Sequence, residues 1–138
     1  MDLQMSGQAP FHAPDAAVIE RMARDALARI PEPFQGYLSD VVLIVEEFAD
    51  DETLDSLGIE DPFDLSGVYH GRPVGDKSAF DSGALPDRIH LYRRPILDEW
   101  IHTGVPLATL VNHIVVHEVG HHFGLSDDDM HALEDGAD

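Results

Sequence analysis

Apolar side chains recur from Val18 through Ile19, Met22, Ala23, Ala26 and Leu27 to Ile30 at helical spacing. That period lays them along one face and predicts an amphipathic, core-packing helix, opened by Pro14 and Asp15 and closed by Pro31 and Pro33. Residues 41–45 form a short, unbroken, mostly β-branched run, the pattern of a buried strand. Residues 51–57 predict a short helix stopped by Gly58. Ile89 and Leu91 alternate with His90 and Tyr92, so residues 88–93 read as a half-exposed strand. A short helix over 95–101 ends at Gly104. Pro106 then opens a longer helix, about 107–123, that stops at Gly124. Val111, Ile114, Val115, Val116, Val119 and Phe123 lie on nearly all sides of this last helix, which predicts that it is buried. Ser126 is placed to cap a final short helix, with Asp127, Asp128 and Asp129 in its favourable first turn.

Between the patterned stretches, residues 60–86 hold Gly67, Gly71, Gly75 and Gly83 beside Pro62, Pro73 and Pro86. A connection of this length in a compact domain is either a functional flap or disordered, and the flap is the favoured reading, with a brief strand at Val68 and Tyr69 inside it. Residues 1–13 have little pattern and read as a loose tail, leaving 14–138 as a single domain. A chain of 138 residues carries one core and not two.

Composition changes this picture in two respects. Eight Lys and Arg against 27 Asp and Glu give a formal net charge of −19. Such a body repels a phosphate backbone and an anionic membrane surface, so neither nucleic acid nor membrane is expected as a partner. Cysteine is absent, which excludes disulfide frameworks, thiolate zinc sites and thiol nucleophiles. With no basic, apolar leader visible and no apolar run near membrane-spanning length, the expected compartment is the cytoplasm.

Candidate chemistry is concentrated in the segment from His117 to Asp127, which contains H-E-x-x-H on the predicted long helix. His117 and His121, four apart, project from one face and can converge on a zinc ion. Glu118, rotated by about 100°, is poorly placed to share the ion but can reach a metal-bound water as a general base. A catalytic zinc needs a third protein ligand and an open fourth position. Gly124 can bend the chain back sharply, and Asp127 follows three residues later as the candidate third ligand. The extended pattern, H-E-x-x-H-x-x-G-x-x-D, is one ligand type away from the metzincin form. Its chance occurrence in this composition is roughly 0.001. The competing reading is a purely structural histidine cluster, since His113, His122 and His131 crowd the same region. His113 is read as a core histidine in preference to a group that supports the metal ligands, Met130 as a hydrophobic base or filler, and Tyr69 and Tyr92 as partly buried tyrosines or oxyanion donors. Arg93 and Arg94 are read as balancing local carboxylates.

Three stretches carry a family resemblance: residues 65–73 (LSGVYHGRP), 85–96 (LPDRIHLYRRPI) and 117–130 (HEVGHHFGLSDDDM). Over about residues 65–130 the chain resembles the minimal zincin-like metallopeptidases. The resemblance implies a compact α+β fold, with helices packed on a small twisted mixed sheet and a buried active-site helix. It implies Zn2+ on His117, His121 and Asp127, with Glu118 as the base and Met130 in the place of a Met-turn. It also implies hydrolysis of peptide bonds in a peptide or protein substrate. The alternative is a non-catalytic module of the same fold that binds a peptide or protein.

Overall fold

The computed structural model describes residues 12–71 and 86–136. The chain order is α1 (Ala16–Ala28), α2 (Phe34–Leu38), β1 (Val42–Glu46), α3 (Asp51–Leu57), a 3₁₀ turn at Pro62–Asp64, β2 (Gly67–His70), β3 (Arg88–Tyr92), α4 (Arg93–Thr103), α5 (Leu107–Phe123) and α6 (Asp127–Gly136). This is an α+β arrangement built on a three-stranded mixed sheet of order β1-β3-β2. β1 runs parallel to β3 and β2 antiparallel to it.

Local chemistry explains the helix ends. The Asp15 carboxylate accepts from the Val18 N–H at 3.0 Å and opens α1. Asp50 caps α3 through the Thr53 N–H at 2.8 Å, and the chain leaves α3 through Gly58 at φ 70°. Gly104 and Gly124 close α4 and α5 with φ of 71° and 73°, a conformation that costs side-chain-bearing residues free energy.

The main core lies on one face of the sheet. There Ile19, Ala23, Ala26 and Leu27 of α1 meet Leu110, Val111, Ile114, Val115 and Val119 of α5 over Leu43, Ile89 and Leu91. The striped pattern of α1 and the apolar surround of α5 are thereby satisfied. Alternation along β3 sends Tyr92 to the opposite face, where it is 1% exposed and packs with Ala49, Leu54, Ile59, Leu65 and Val68.

Two strand expectations are corrected. The run at 41–45 forms β1, but β1 is an edge strand: Leu43 is its one buried residue and Val42 is 40% exposed. β-branched composition reports strand preference, and it says nothing of a strand's place in the sheet. Conversely, the 88–93 stretch, read as half-exposed, is the central strand, hydrogen-bonded on both sides, with Ile89, Leu91 and Tyr92 buried. The segment read as a flap is ordered at its start, where Leu65 and Val68 pack against Tyr92. Its residues 72–85, like residues 1–11 of the expected tail, lie outside the described residues. Among the described residues no helix is long and apolar enough to cross a membrane.

Candidate metal centre and active-site cleft

The second half of α5 carries His117, Glu118, His121 and His122. Its end is fixed by two backbone bonds around Gly124. The Leu125 N–H donates to the Gly120 carbonyl at 2.8 Å and the Gly124 N–H to the His121 carbonyl at 3.2 Å, the pattern of a Schellman turn. Ser126 follows and caps α6, its Oγ accepting from the Asp129 N–H at 3.1 Å. The bend is tight enough that α6 returns along α5. Met130, 1% exposed, lies directly over Gly120. A Cβ at Gly120 would stand 2.5 Å from Met130 Cγ and closer still to its sulfur. The thioether is thus a packing element between the two helices at the middle of the motif.

Glu118 faces a cleft of about 360 Å³ lined by Leu57, Leu65, Gly67, Val68, Tyr69, Glu118, His121 and His122. The Tyr69 backbone N–H of β2 lies near its carboxylate. Burial pushes its pKa above the ordinary carboxylate value, opposed by the neighbouring His121 and by the Tyr69 N–H. Tyr69 stacks on His122, with ring centroids 4.0 Å apart and planes 15° apart, and donates its hydroxyl to Asp87 Oδ2 at 2.8 Å. Burial first, and then Asp87, raise the Tyr69 phenol pKa. Tyr92 lies in the small core behind the sheet, its pKa pushed up to about 12 chiefly by burial. Both hydroxyls therefore read as structural tyrosines. Arg93 balances a carboxylate as expected, donating to Glu47 Oε1 at 2.9 Å, whereas Arg94 lies over the Phe48 ring at 5.7 Å.

The histidines divide between two sides of α5. His121 lies at the cleft, and its ring stands perpendicular to that of His117 with centroids 6.0 Å apart. His117 turns toward α6, where its Nε2 lies 2.9 Å from Glu134 Oε1. His113 Nδ1 lies 2.9 Å from the same oxygen. Burial, with His113 next, pushes His117 below its ordinary pKa, while Glu134 opposes the shift. The neutral imidazole this favours is the form that ligates metal. Asp127 occupies the exposed first turn of α6, and its side chain has no hydrogen bond or ion pair among the described residues.

Among the described residues, one set of three donor groups has its ligand atoms mutually within 4.8 Å: His113, His117 and Glu134. His121 and Asp127 are outside that set. His113, read from sequence as a core histidine, is instead 46% exposed at the side chain and bonded to Glu134. Glu134 was not singled out by sequence reasoning. Its signal was the spacing from Met130: four residues apart on α6, the two share the face turned toward α5.

The donor chemistry fits a zinc-type ion. Imidazoles project from successive turns of one helix, one has its pKa lowered by burial, and carboxylates stand at the start and end of the helix that returns along them. A family profile described as zincin-like metallopeptidase matches residues 38–137. The chain belongs to the zincin-like metallopeptidase family. The match begins ahead of β1 and so takes in all three strands and α3 through α6, a wider span than the stretches at 65–130 that carry the resemblance. Curated proteins gave no match. The helix bearing His117, Glu118 and His121, α5, is the most buried of the described helices.

Proposed function

We propose that the protein is a zinc-dependent peptidase in which His117, His121 and Asp127 hold the metal and Glu118 is the general base. The observation that carries this reading is the environment of Glu118. A partly buried carboxylate lines a cleft that also contains His121, with the Tyr69 N–H nearby. When bound, zinc supplies an acidified water and a Lewis acid for the scissile carbonyl. Glu118 takes the proton from the attacking water and delivers it to the leaving amine. The burial that raises its pKa strengthens it as a base. To join His121 at the metal, His117 exchanges its contact with Glu134 for the ion. Asp127, free of other partners among the described residues, has no competing bond to break.

β2 supplies a substrate track. Among the described residues it is paired only on its β3 side, and Gly67, Val68 and Tyr69 line the cleft. An extended peptide adds to such an edge by backbone hydrogen bonds. Leu57, Leu65 and Val68 offer an apolar wall for one of its side chains. Because β3 is central, this role falls to β2 and not to the 88–93 strand.

The test is Glu118→Gln with zinc content and peptide hydrolysis measured in parallel. The expected result is one zinc per chain in both proteins, with turnover lost in the variant by at least about 100-fold, the usual contribution of a positioned base. Unchanged turnover would remove Glu118 from the mechanism. A parent chain that takes up no zinc at neutral pH would end the reading.

A further inference from the structure

Among the described residues, Glu134 is the carboxylate in contact with His117, and it lies outside the motif. A single oxygen, Oε1, stands 2.9 Å from both His113 Nδ1 and His117 Nε2. The two rings lie one helical turn apart with centroids 4.1 Å apart. We propose that His113, His117 and Glu134 form a second cation position, for a divalent transition-metal ion, which shares His117 with the motif site and is filled in competition with it.

Three features of the cluster support this. Two imidazoles and one carboxylate are a donor set that zinc and its neighbours accept. The separations are close to what an ion needs. Metal–ligand distances near 2.0–2.1 Å in a tetrahedral site put donor atoms about 3.3 Å apart, so 2.9 Å contacts open to hold an ion by a few tenths of an ångström. The set is also accessible: the His113 side chain is 46% exposed and those of His117 and Glu134 21%, which leaves the fourth position to water. A chain of charge −19 further concentrates cations at its surface. His131, whose ring centroid is 6.2 Å from that of His117, falls outside the group.

The site differs in role from the motif site. Glu118 faces the cleft with His121 and β2, whereas His117 Nε2 and Glu134 meet on the α6 side. An ion held there is not the ion that Glu118 serves. Because His117 Nε2 cannot ligate two ions at once, loading this position empties the motif site of one histidine. That competition rests on the zinc-peptidase reading; the second position itself does not.

The test is a Co2+ titration of the metal-free full-length chain, followed by ligand-field absorption, with far-UV circular dichroism to verify folding. The background is His121→Ala with Asp127→Asn, which disables the motif set. That double variant is expected to bind one Co2+ per chain. Adding Glu134→Gln, or independently His113→Ala, is expected to weaken this binding at least tenfold. A double variant that binds no Co2+, or one whose affinity neither added substitution changes, overturns the proposal. The zinc-peptidase reading fails separately: if Glu134→Gln alone abolishes Co2+ binding in the otherwise intact chain, the motif set is not a site while the second position stands.

Discussion

Gly120 stands between Val119 and His121 where any side chain meets Met130. In an open helix, replacing glycine by alanine stabilises by roughly 0.5–1 kcal/mol through backbone entropy. Here the added methyl would press on Met130 Cγ, and Met130 is 1% exposed, with little room to retreat. Overpacking a buried contact typically costs about 1–3 kcal/mol, so the clash outweighs the entropy gain. Gly120→Ala is expected to be destabilising on balance, by about 1 kcal/mol, read as a lower urea midpoint with an unchanged slope. The same shift of α6 displaces Glu134 from His117, so the variant also alters metal affinity. A midpoint at or above the parent's would show that Met130 is loose and that the α5–α6 contact is not a fixed spacer. At this scale the sequence was only partly legible. The spacing of His117, Glu118 and His121 announced metal chemistry. The reason for glycine at 120 required the return path of α6, and so did the contact of His113 with Glu134.

Among the elements, α5 depends most on its exit. Gly124 at φ 73° permits the two backbone bonds that cap the helix and turns the chain so that Ser126 can start α6. A Cβ there meets nothing within 4 Å, so the constraint is conformational and not steric packing. Gly124→Ala is therefore expected to cost about 1 kcal/mol from the left-handed backbone alone, and Gly124→Asn less, since asparagine tolerates that region better. Denaturation of the three proteins without metal measures this order. An alanine variant as stable as the parent would mean the turn reforms in another geometry. Elements bracketed by such residues were legible: α5 between Pro106 and Gly124, and α3 ended by Gly58, match their expected spans. Strand order was not. An apolar run in β1 and an alternating one in β3 are local patterns, while edge or centre is decided by which strands pair across long separations. β2, a four-residue strand that starts on Gly67 and is followed by Gly71, carried too little pattern to show that it would form the cleft wall.

Taken as a whole, the molecule sets opposite chemistries on the two faces of one small sheet. Tyr69 points toward α5 and His122, while the next residue, His70, points to the other face, where its ring stands perpendicular to that of His90 at 5.0 Å. His90 is tied to Glu46, its Nδ1 2.8 Å from Oε1. His70 also feels Arg88, Asp50 and Glu46. Burial is the largest influence on it and lowers its pKa below 6.5, with His90 and Arg88 in the same direction and the two carboxylates opposing. The native state thus binds a proton at His70 less readily than the unfolded chain does. Its contribution to stability is fully present above about pH 6.5 and is lost as pH falls from there toward the lowered native value. The acidic surface works the other way over the same range: a body of net charge −19 is relieved of self-repulsion as protons bind. The parent's own pH curve mixes the two effects, and the comparison with His70→Gln separates them, since that variant keeps the surface charge and removes the titration. Urea midpoints measured in chelator between pH 7.5 and 5 are expected to fall more steeply, or rise less, for the parent than for the variant, with the two curves converging in slope above pH 6.5. Parallel curves throughout would mean that His70 titrates alike in both states and that the outer face of the sheet is open to water. Because β2 carries His70 on one face and Tyr69, stacked on His122 of α5, on the other, a pH-dependent loss of this strand's packing also reaches the cleft.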